Sequence, residues 1–250
     1  MTAAVRTFAA RRQTGVAELG IVIVLYAAYE VLRGVGDGTL AVARDHAADI
    51  VALERSFNVF VEHAVQQWAA GIPALPTFLG LFYITSHLGL TSAAVVWLHR
   101  RRPERFPVVR NTLVFATALS LLGYVLYPAA PPRLSGLGFV DTVSAHTQVN
   151  LSSDLLGSLY NPFAAVPSLH FGYAVIVGAV LVSVATRRSL RIAGALYPAA
   201  MLVIIVGTGN HFIIDAILGG LVVVAGWLVA RSLVATAPSR SGRLVASSNA

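Results

Sequence analysis

Residues 190–233 read LRIAGALYPAAMLVIIVGTGNHFIIDAILGGLVVVAGWLVARSL, which is two apolar blocks separated by a short polar turn. The blocks, 190–208 and 212–233, are each about 20 residues long, the length that a helix needs to cross a hydrocarbon core of about 30 Å. A chain inside a membrane must satisfy its own backbone hydrogen bonds, and a helix does so. The stretch therefore predicts two transmembrane helices joined at one membrane surface by the turn 207–210.

Four further apolar blocks bring the predicted number of spans to six, at 17–33, 75–98, 108–127 and 167–186. The composition agrees, since 56% of the residues are hydrophobic, 12% are charged and the mean hydropathy is +0.74. An ordinary soluble domain has far more charge. We expect an all-α, polytopic membrane protein with a single domain over 1–236, and we expect the tail 237–250 to be mobile.

The segment 38–73 differs from the spans because charged side chains alternate with apolar ones at helical spacing. Its apolar residues are Ile50, Val51, Leu53, Phe57, Phe60, Val61 and Ala64. This pattern predicts an amphipathic helix that lies along the outer membrane surface. Glu54 and Glu62 are interpreted as part of its solvated face.

The arginines predict how the spans are oriented. Most of them form four clusters, which are Arg6, Arg11 and Arg12; Arg100, Arg101, Arg102 and Arg105; Arg187, Arg188 and Arg191; and Arg231, Arg240 and Arg243. Six spans with both termini inside would place all four clusters on the cytoplasmic side, as the positive-inside rule requires. The loops 34–74 and 128–166 and the turn 207–210 would then face the extracytoplasmic side of a cell membrane.

Charge and cysteine content exclude several kinds of function. The net charge of +7 comes from arginine clusters in short loops, so it is interpreted as a topology signal and not as a nucleic-acid-binding surface. The chain has no cysteine, which excludes disulfides, a thiol nucleophile and thiolate metal ligands. The partners expected from composition are membrane lipids.

Three polar segments fall at the predicted outer ends of spans, 127–134 (YPAAPPRL), 166–170 (VPSLH) and 209–215 (GNHFIID). Pro167 suits the first turn of a helix, so Ser168 and Leu169 should present free N–H groups that attract a phosphate. His170, in the same turn, can serve as a general acid or as a cation that stabilises negative charge.

The segment 209–215 and Arg133 add a second histidine and a phosphate ligand. Asn210 is predicted to be an N-cap, and His211 and Asp215 lie four residues apart on one helix face. A carboxylate beside an imidazole fixes its tautomer and raises its basicity, as a nucleophilic or general-base histidine requires. Arg133 is predicted to lie outside, where its guanidinium can bind phosphate oxygens in a bidentate fork.

Four other polar residues keep two interpretations. His87 lies deep in the predicted second span, where a polar residue either lines a cavity or makes a structural hydrogen bond. Tyr127, Asp141 and Asn161 either shape the same pocket or satisfy the backbone of the loops.

Taken together, these motifs resemble the type 2 phosphatidic acid phosphatase superfamily, through Pro-Ser-x-His and the later His-x-x-x-Asp, each opening a membrane helix. The resemblance is closer to its inositol phosphorylceramide synthase-like branch, through 127–133 (YPAAPPR), 161–170 (NPFAAVPSLH) and 209–215. It extends over most of 50–220 and includes Tyr83-x-x-x-His87 as possible pocket residues.

The resemblance implies a metal-independent enzyme without a cofactor, acting on a lipid-linked phosphate or diphosphate. It implies that His211 attacks phosphorus to form a phosphohistidine, that Asp215 orients His211 and that His170 protonates the leaving oxygen. The implied phosphate-binding residues are Arg133, Ser168, Leu169 and Asn210.

The chain departs from the common superfamily pattern at Leu126, where Lys is usual, at Leu169, where Gly is usual, and at Ile204 and Ile205, where Ser-Arg is usual. These departures match the synthase-like branch and leave fewer cations for the phosphate. Hydrolysis and transfer to inositol or another polyol both stay open, because water and an alcohol would attack the same intermediate. A non-catalytic lipid-binding or transport protein is the alternative from another class.

Overall fold

The computed structural model describes residues 39–149 and 161–236, together with the isolated positions 20 and 27. Apart from those two positions, the predicted first span lies outside the described residues, as does the tail 237–250. The named elements of the described part are eight helices and one 3₁₀ turn, Pro132–Leu134. The helices are α1 (Leu40–Ser56), α2 (Glu62–Ala70), α3 (Leu75–Arg101), α4 (Phe106–Leu126), α5 (Thr142–His146), α6 (Leu169–Val184), α7 (Arg188–Gly207) and α8 (Ile213–Thr236).

Five of these helices correspond to predicted spans, and the all-α polytopic architecture is confirmed. Helices α3, α4, α7 and α8 are long and apolar enough to cross a membrane, and α6 is an apolar helix of 16 residues. Helix α6 packs chiefly against α7 and α8, and α8 packs chiefly against α4. Large apolar side chains such as Leu221 and Leu228 point outward from α8, whereas Gly219 and Gly226 face its neighbours, which is typical of packing in lipid.

The arginines and the polar segments lie at opposite ends of this bundle. Arg101, Arg102 and Arg187 line one cleft where α3 and α6 end and α7 begins. At the other end, α4 leads into the segment 127–134, α6 begins after Ser168, and the turn between α7 and α8 contains His211. The helices therefore bring the three polar segments to one end of the bundle.

The segment 38–73 forms two helices, α1 and α2, but the predicted solvated face is wrong. Glu54 and Glu62 are both fully buried, while Leu53 and Phe57 are exposed. The carboxylates turn inward because they accept backbone N–H groups at the start of α8, which no apolar side chain could do. The apolar residues left outside are available for contact with a membrane surface.

Candidate active site

The three polar segments meet around one cavity of about 200 Å³. The residues that line it are Tyr83, His87, Tyr124, Pro131, Arg133, Asn161, Pro162, Ala164, Ala165, Leu169, His170, Asn210 and His211. Both motif histidines therefore face the same space, together with the arginine predicted to bind phosphate.

His211 is held by the carboxylate of Asp215. Its Nδ1 atom lies 3.2 Å from Oδ2 of Asp215, which is fully buried at the first turn of α8. The same oxygen accepts the N–H of Phe212 at 2.9 Å. Because an ionised carboxylate only accepts hydrogen bonds, this contact assigns the imidazole proton to Nδ1. The lone pair is then on Nε2, as a nucleophilic histidine requires.

His170 is the second residue of α6 and is enclosed by aromatic rings. Its ring is stacked on Tyr83 with centroids 4.2 Å apart, and its centroid is also 4.2 Å from that of His87. The His170 and His211 centroids are 5.8 Å apart. His170 is thus held beside His211, where it can exchange a proton with a group bound between the two rings.

Arg133 connects the segment 127–134 to the turn between α7 and α8. Its Nε atom donates to Oδ1 of Asn210 at 3.0 Å, and its Nη1 atom lies 3.6 Å from Oδ2 of Asp141. Its backbone N–H donates to the carbonyl of Gly209 at 2.9 Å. The guanidinium is therefore fixed at the cavity wall, where it supplies a positive charge.

The predicted N-cap role of Asn210 is wrong. Helix α8 begins at Ile213, and the side-chain amide of Asn210 instead donates to Oγ1 of Thr208 while its oxygen accepts from Arg133. The N–H groups of Phe212, Ile213 and Ile214 at the start of α8 donate to carboxylates instead. Asn210 faces the cavity as a neighbour of Arg133, so its phosphate-binding role stays a prediction.

The prediction of a free N–H group on Ser168 is also wrong. Ser168 is the N-cap of α6, fully buried, and its N–H donates to the carbonyl of Asp215 at 2.9 Å. Pro167 precedes this cap and is not in the first helical turn. Leu169 does line the cavity, so its phosphate-binding role stays a prediction. Ser168 thus joins α6 to α8 and has no N–H left for a phosphate.

The possible pocket residues divide into two groups. Tyr83, His87 and Asn161 line the cavity, whereas Tyr127 and Asp141 do not. The Tyr127 ring is stacked on His46 with centroids 4.0 Å apart, because the segment 127–134 packs against α1. Asp141 caps α5 by accepting the N–H of Ser144 at 3.1 Å.

Among the polar residues of the cavity wall, sequence reasoning missed Tyr124. Its hydroxyl donates to the carbonyl of Pro167 at 2.9 Å and so links the end of α4 to the start of α6. The available signal was its position, one helical turn before Tyr127 at the polar end of a predicted span.

The amino-acid sequence matches the PAP2 superfamily over residues 48–229. The chain belongs to this superfamily. It is also 26% identical, over 184 residues, to a phosphoinositol dihydroceramide synthase of Bacteroides thetaiotaomicron. That similarity covers 66% of this chain and 57% of the synthase, so the chain spans little more than half of its relative's length. These two matches confirm the resemblance that the motifs predicted.

No solved structure matches the chain significantly.

Proposed function

We propose that this chain is a lipid phosphatase or phosphotransferase that acts on a lipid-linked phosphate or diphosphate through a phosphohistidine at His211. The observation that carries the proposal is the 3.2 Å contact between Nδ1 of His211 and Oδ2 of Asp215. It leaves Nε2 as the basic nitrogen of a histidine that lines the cavity. Membership of the PAP2 superfamily supports the same chemistry.

In the first step, the lone pair on Nε2 of His211 forms a bond to phosphorus and the bond from phosphorus to the lipid oxygen breaks. His170 gives its proton to that oxygen, so that the lipid leaves as an alcohol or, from a diphosphate, as a monophosphate. In the second step, an acceptor oxygen attacks phosphorus, its proton passes to His170 and the N–P bond breaks. Both histidines then regain their starting states.

The phosphate is held by the groups around Arg133. The guanidinium of Arg133 is fixed by Asn210 and neutralises part of the charge that develops on the phosphoryl oxygens. The N-terminus of α6, with Leu169 at the cavity wall, contributes the positive end of a helix dipole.

A second candidate is transfer of the phosphoryl head group to inositol or another polyol. The similarity to a protein named phosphoinositol dihydroceramide synthase favours it. The cavity wall also offers polar groups suited to a polyol, namely the side chains of Tyr83, Tyr124 and Asn161. Transfer and hydrolysis would differ only in the acceptor of the second step.

A panel of lipid phosphates and diphosphates, incubated with the purified chain with and without inositol, tests this proposal. Phosphate release without a polyol would indicate hydrolysis, and a new phosphorylated polyol or lipid product would indicate transfer. Turnover of no substrate, together with lipid binding, would support the non-catalytic alternative and contradict the proposal.

We expect the reaction to proceed without a divalent metal. Mg²⁺ prefers several oxygen ligands, and no carboxylate is among the described residues that line the cavity. Asp215 and Asp141, which contact the cavity residues His211 and Arg133, are already paired with them. Activity should therefore persist in EDTA, and vanadate should inhibit as a mimic of pentacoordinate phosphorus. Activity that disappears in EDTA and returns with a divalent metal would contradict this mechanism.

A further inference from the structure

The first turn of α8 is held by three carboxylates from three different helices. Three consecutive N–H groups each donate to one of them, at 2.9, 3.0 and 2.8 Å. The pairs are Phe212 with Oδ2 of Asp215, Ile213 with Oε1 of Glu62 and Ile214 with Oε1 of Glu54. A helix N-terminus attracts one anion, but three buried carboxylates at one terminus repel each other strongly.

In the part of the chain that the structure describes, no cation is paired with Glu54 or Glu62 to compensate this repulsion. Both side chains are fully buried, and neither forms an ion pair with an arginine within 39–149 and 161–236. Their Oε2 atoms are buried without a hydrogen-bond donor. Their Oε1 atoms accept the consecutive N–H groups of Ile213 and Ile214, which holds the two carboxyl groups side by side, where a hydrogen bond between them would satisfy both Oε2 atoms. Two carboxylates can form that bond only if a proton lies between them. One shared proton would satisfy both Oε2 atoms and remove one buried charge.

We propose that Glu54 and Glu62 share one proton and that this pair positions His211, a role that rests on the proposed function above. The shared proton lets Oε1 of each residue accept its backbone N–H without a second uncompensated charge. Those two hydrogen bonds fix the start of α8, two residues after His211 and two before Asp215. Glu54 and Glu62 do not line the cavity, so they act through the backbone.

This arrangement predicts how stability depends on pH. The titratable groups that face Glu54 are Glu62 from α2 and Asp215 from α8, the latter paired with His211. Burial, and then the hydrogen bond to Glu62, raise the pKa of Glu54 from 4.5 to about 8. The folded state then keeps a proton that the unfolded state releases, so the free energy of unfolding should fall as pH rises from 4.5 to about 8.

Glutamine substitutions test the shared proton because the NH₂ group of an amide can donate in place of a protonated carboxyl group. In Glu54→Gln, the amide oxygen can still accept from Ile214 and the amide NH₂ can donate to Glu62; Glu62→Gln is equivalent. In the double variant, both amide oxygens accept from the backbone, so two NH₂ groups face each other without an acceptor. We expect the single variants to fold and keep most activity. The double variant and Glu54→Ala should lose kcat by about 10- to 100-fold, with little change in KM.

Thermal unfolding of the purified full chain from pH 5 to pH 9 provides a readout that does not need a substrate. The melting temperature of the unsubstituted protein should fall toward pH 8, and that fall should be much smaller in Glu54→Gln. Asp45→Asn, an exposed acid-to-amide change on the same helix, is the matched control and should keep the original pH dependence.

Three results would overturn the inference, and each can be distinguished from failure of the proposed function. The shared proton would be excluded if the melting temperature of Glu54→Gln fell with pH as steeply as that of the unsubstituted protein. It would also be excluded if the double variant were as stable as the single ones. Neither measurement needs a substrate. If the variants unfold as expected but the double variant keeps the kcat of the unsubstituted protein, the positioning role is excluded. Absence of turnover in the unsubstituted chain would contradict the proposed function alone.

Discussion

The side chain of His211 cannot turn freely, because Asp215 holds Nδ1 at 3.2 Å and leaves Nε2 for chemistry. His170 is likewise held between Tyr83 and His87. Arg133 is held by Asn210. Each of the three side chains that the proposal uses is therefore fixed by a neighbour before substrate binds, which lowers the entropic cost of reaching the transition state.

The role of His170 can be tested by varying the leaving group. If His170 is the general acid, His170→Ala should lose a factor on the order of 10²–10⁴ in kcat/KM toward a lipid phosphate, whose alkoxide leaves poorly. The aryloxide of an activated aryl phosphate can leave without being protonated, so the variant should regain turnover with that substrate.

The matched control is His99→Ala, because His99 is exposed near the opposite end of α3. It should retain activity toward both substrates. Equal losses toward the lipid and the aryl phosphate in His170→Ala would contradict a general-acid role and indicate a structural one.

At the scale of elements, the two motif histidines are brought together by close contact between α6 and α8. The N–H of Ser168 donates to the carbonyl of Asp215 at 2.9 Å, and a β-carbon on Gly219 would collide with the carbonyl of Ser168. Only glycine allows the two backbones to approach this closely. Any residue that separates the helices here should also separate His170 from His211.

Gly219→Ala should therefore impair both stability and activity. We expect a loss of about 1–3 kcal/mol in the free energy of unfolding, typical of overpacking, with a lower kcat. Gly220→Ala is the adjacent control, since its β-carbon would lie 3.5 Å from the Phe171 ring in ordinary contact. The melting temperature and kcat of both variants, measured in detergent, test this expectation. Equal behaviour of the two variants would contradict the close contact.

The sequence was sufficient for features that depend on local pattern. Block length predicted five helices of the described part, and motif residues such as His170, His211 and Arg133 do line one cavity. The acceptors at the start of α8 could not be predicted in this way, because Glu62 and Glu54 lie 151 and 160 residues before their backbone partners. Helical periodicity placed these glutamates on a solvated face, but long-range hydrogen bonding keeps them inside.

At the scale of the whole molecule, the cavity and the arginines Arg101, Arg102 and Arg187 occupy opposite ends of the bundle. A bundle with this polarity has one preferred orientation in a membrane under the positive-inside rule. We propose that the cavity faces the extracytoplasmic leaflet of the cell membrane, where it would meet lipid-linked phosphates.

The orientation can be measured with single cysteines, because the chain has none of its own. Leu137 and Ser189 are both exposed, the first near the cavity end and the second in the first turn of α7 at the arginine end. An impermeant thiol reagent added to intact cells should label Leu137→Cys and not Ser189→Cys. Permeabilised cells, in which both should react, provide the control. Labelling of Ser189→Cys alone in intact cells would reverse the proposed orientation.

The most direct test of the proposed function is to trap the covalent intermediate. The purified chain would be mixed with a substrate labelled on phosphorus, quenched within one turnover and analysed for label bound to protein. We expect label on His211 in the unsubstituted chain and none in His211→Ala with any substrate, because no atom remains there to attack phosphorus. His170→Ala should still become labelled with an activated aryl phosphate. Label that persists in His211→Ala and disappears in His170→Ala would contradict the assigned roles.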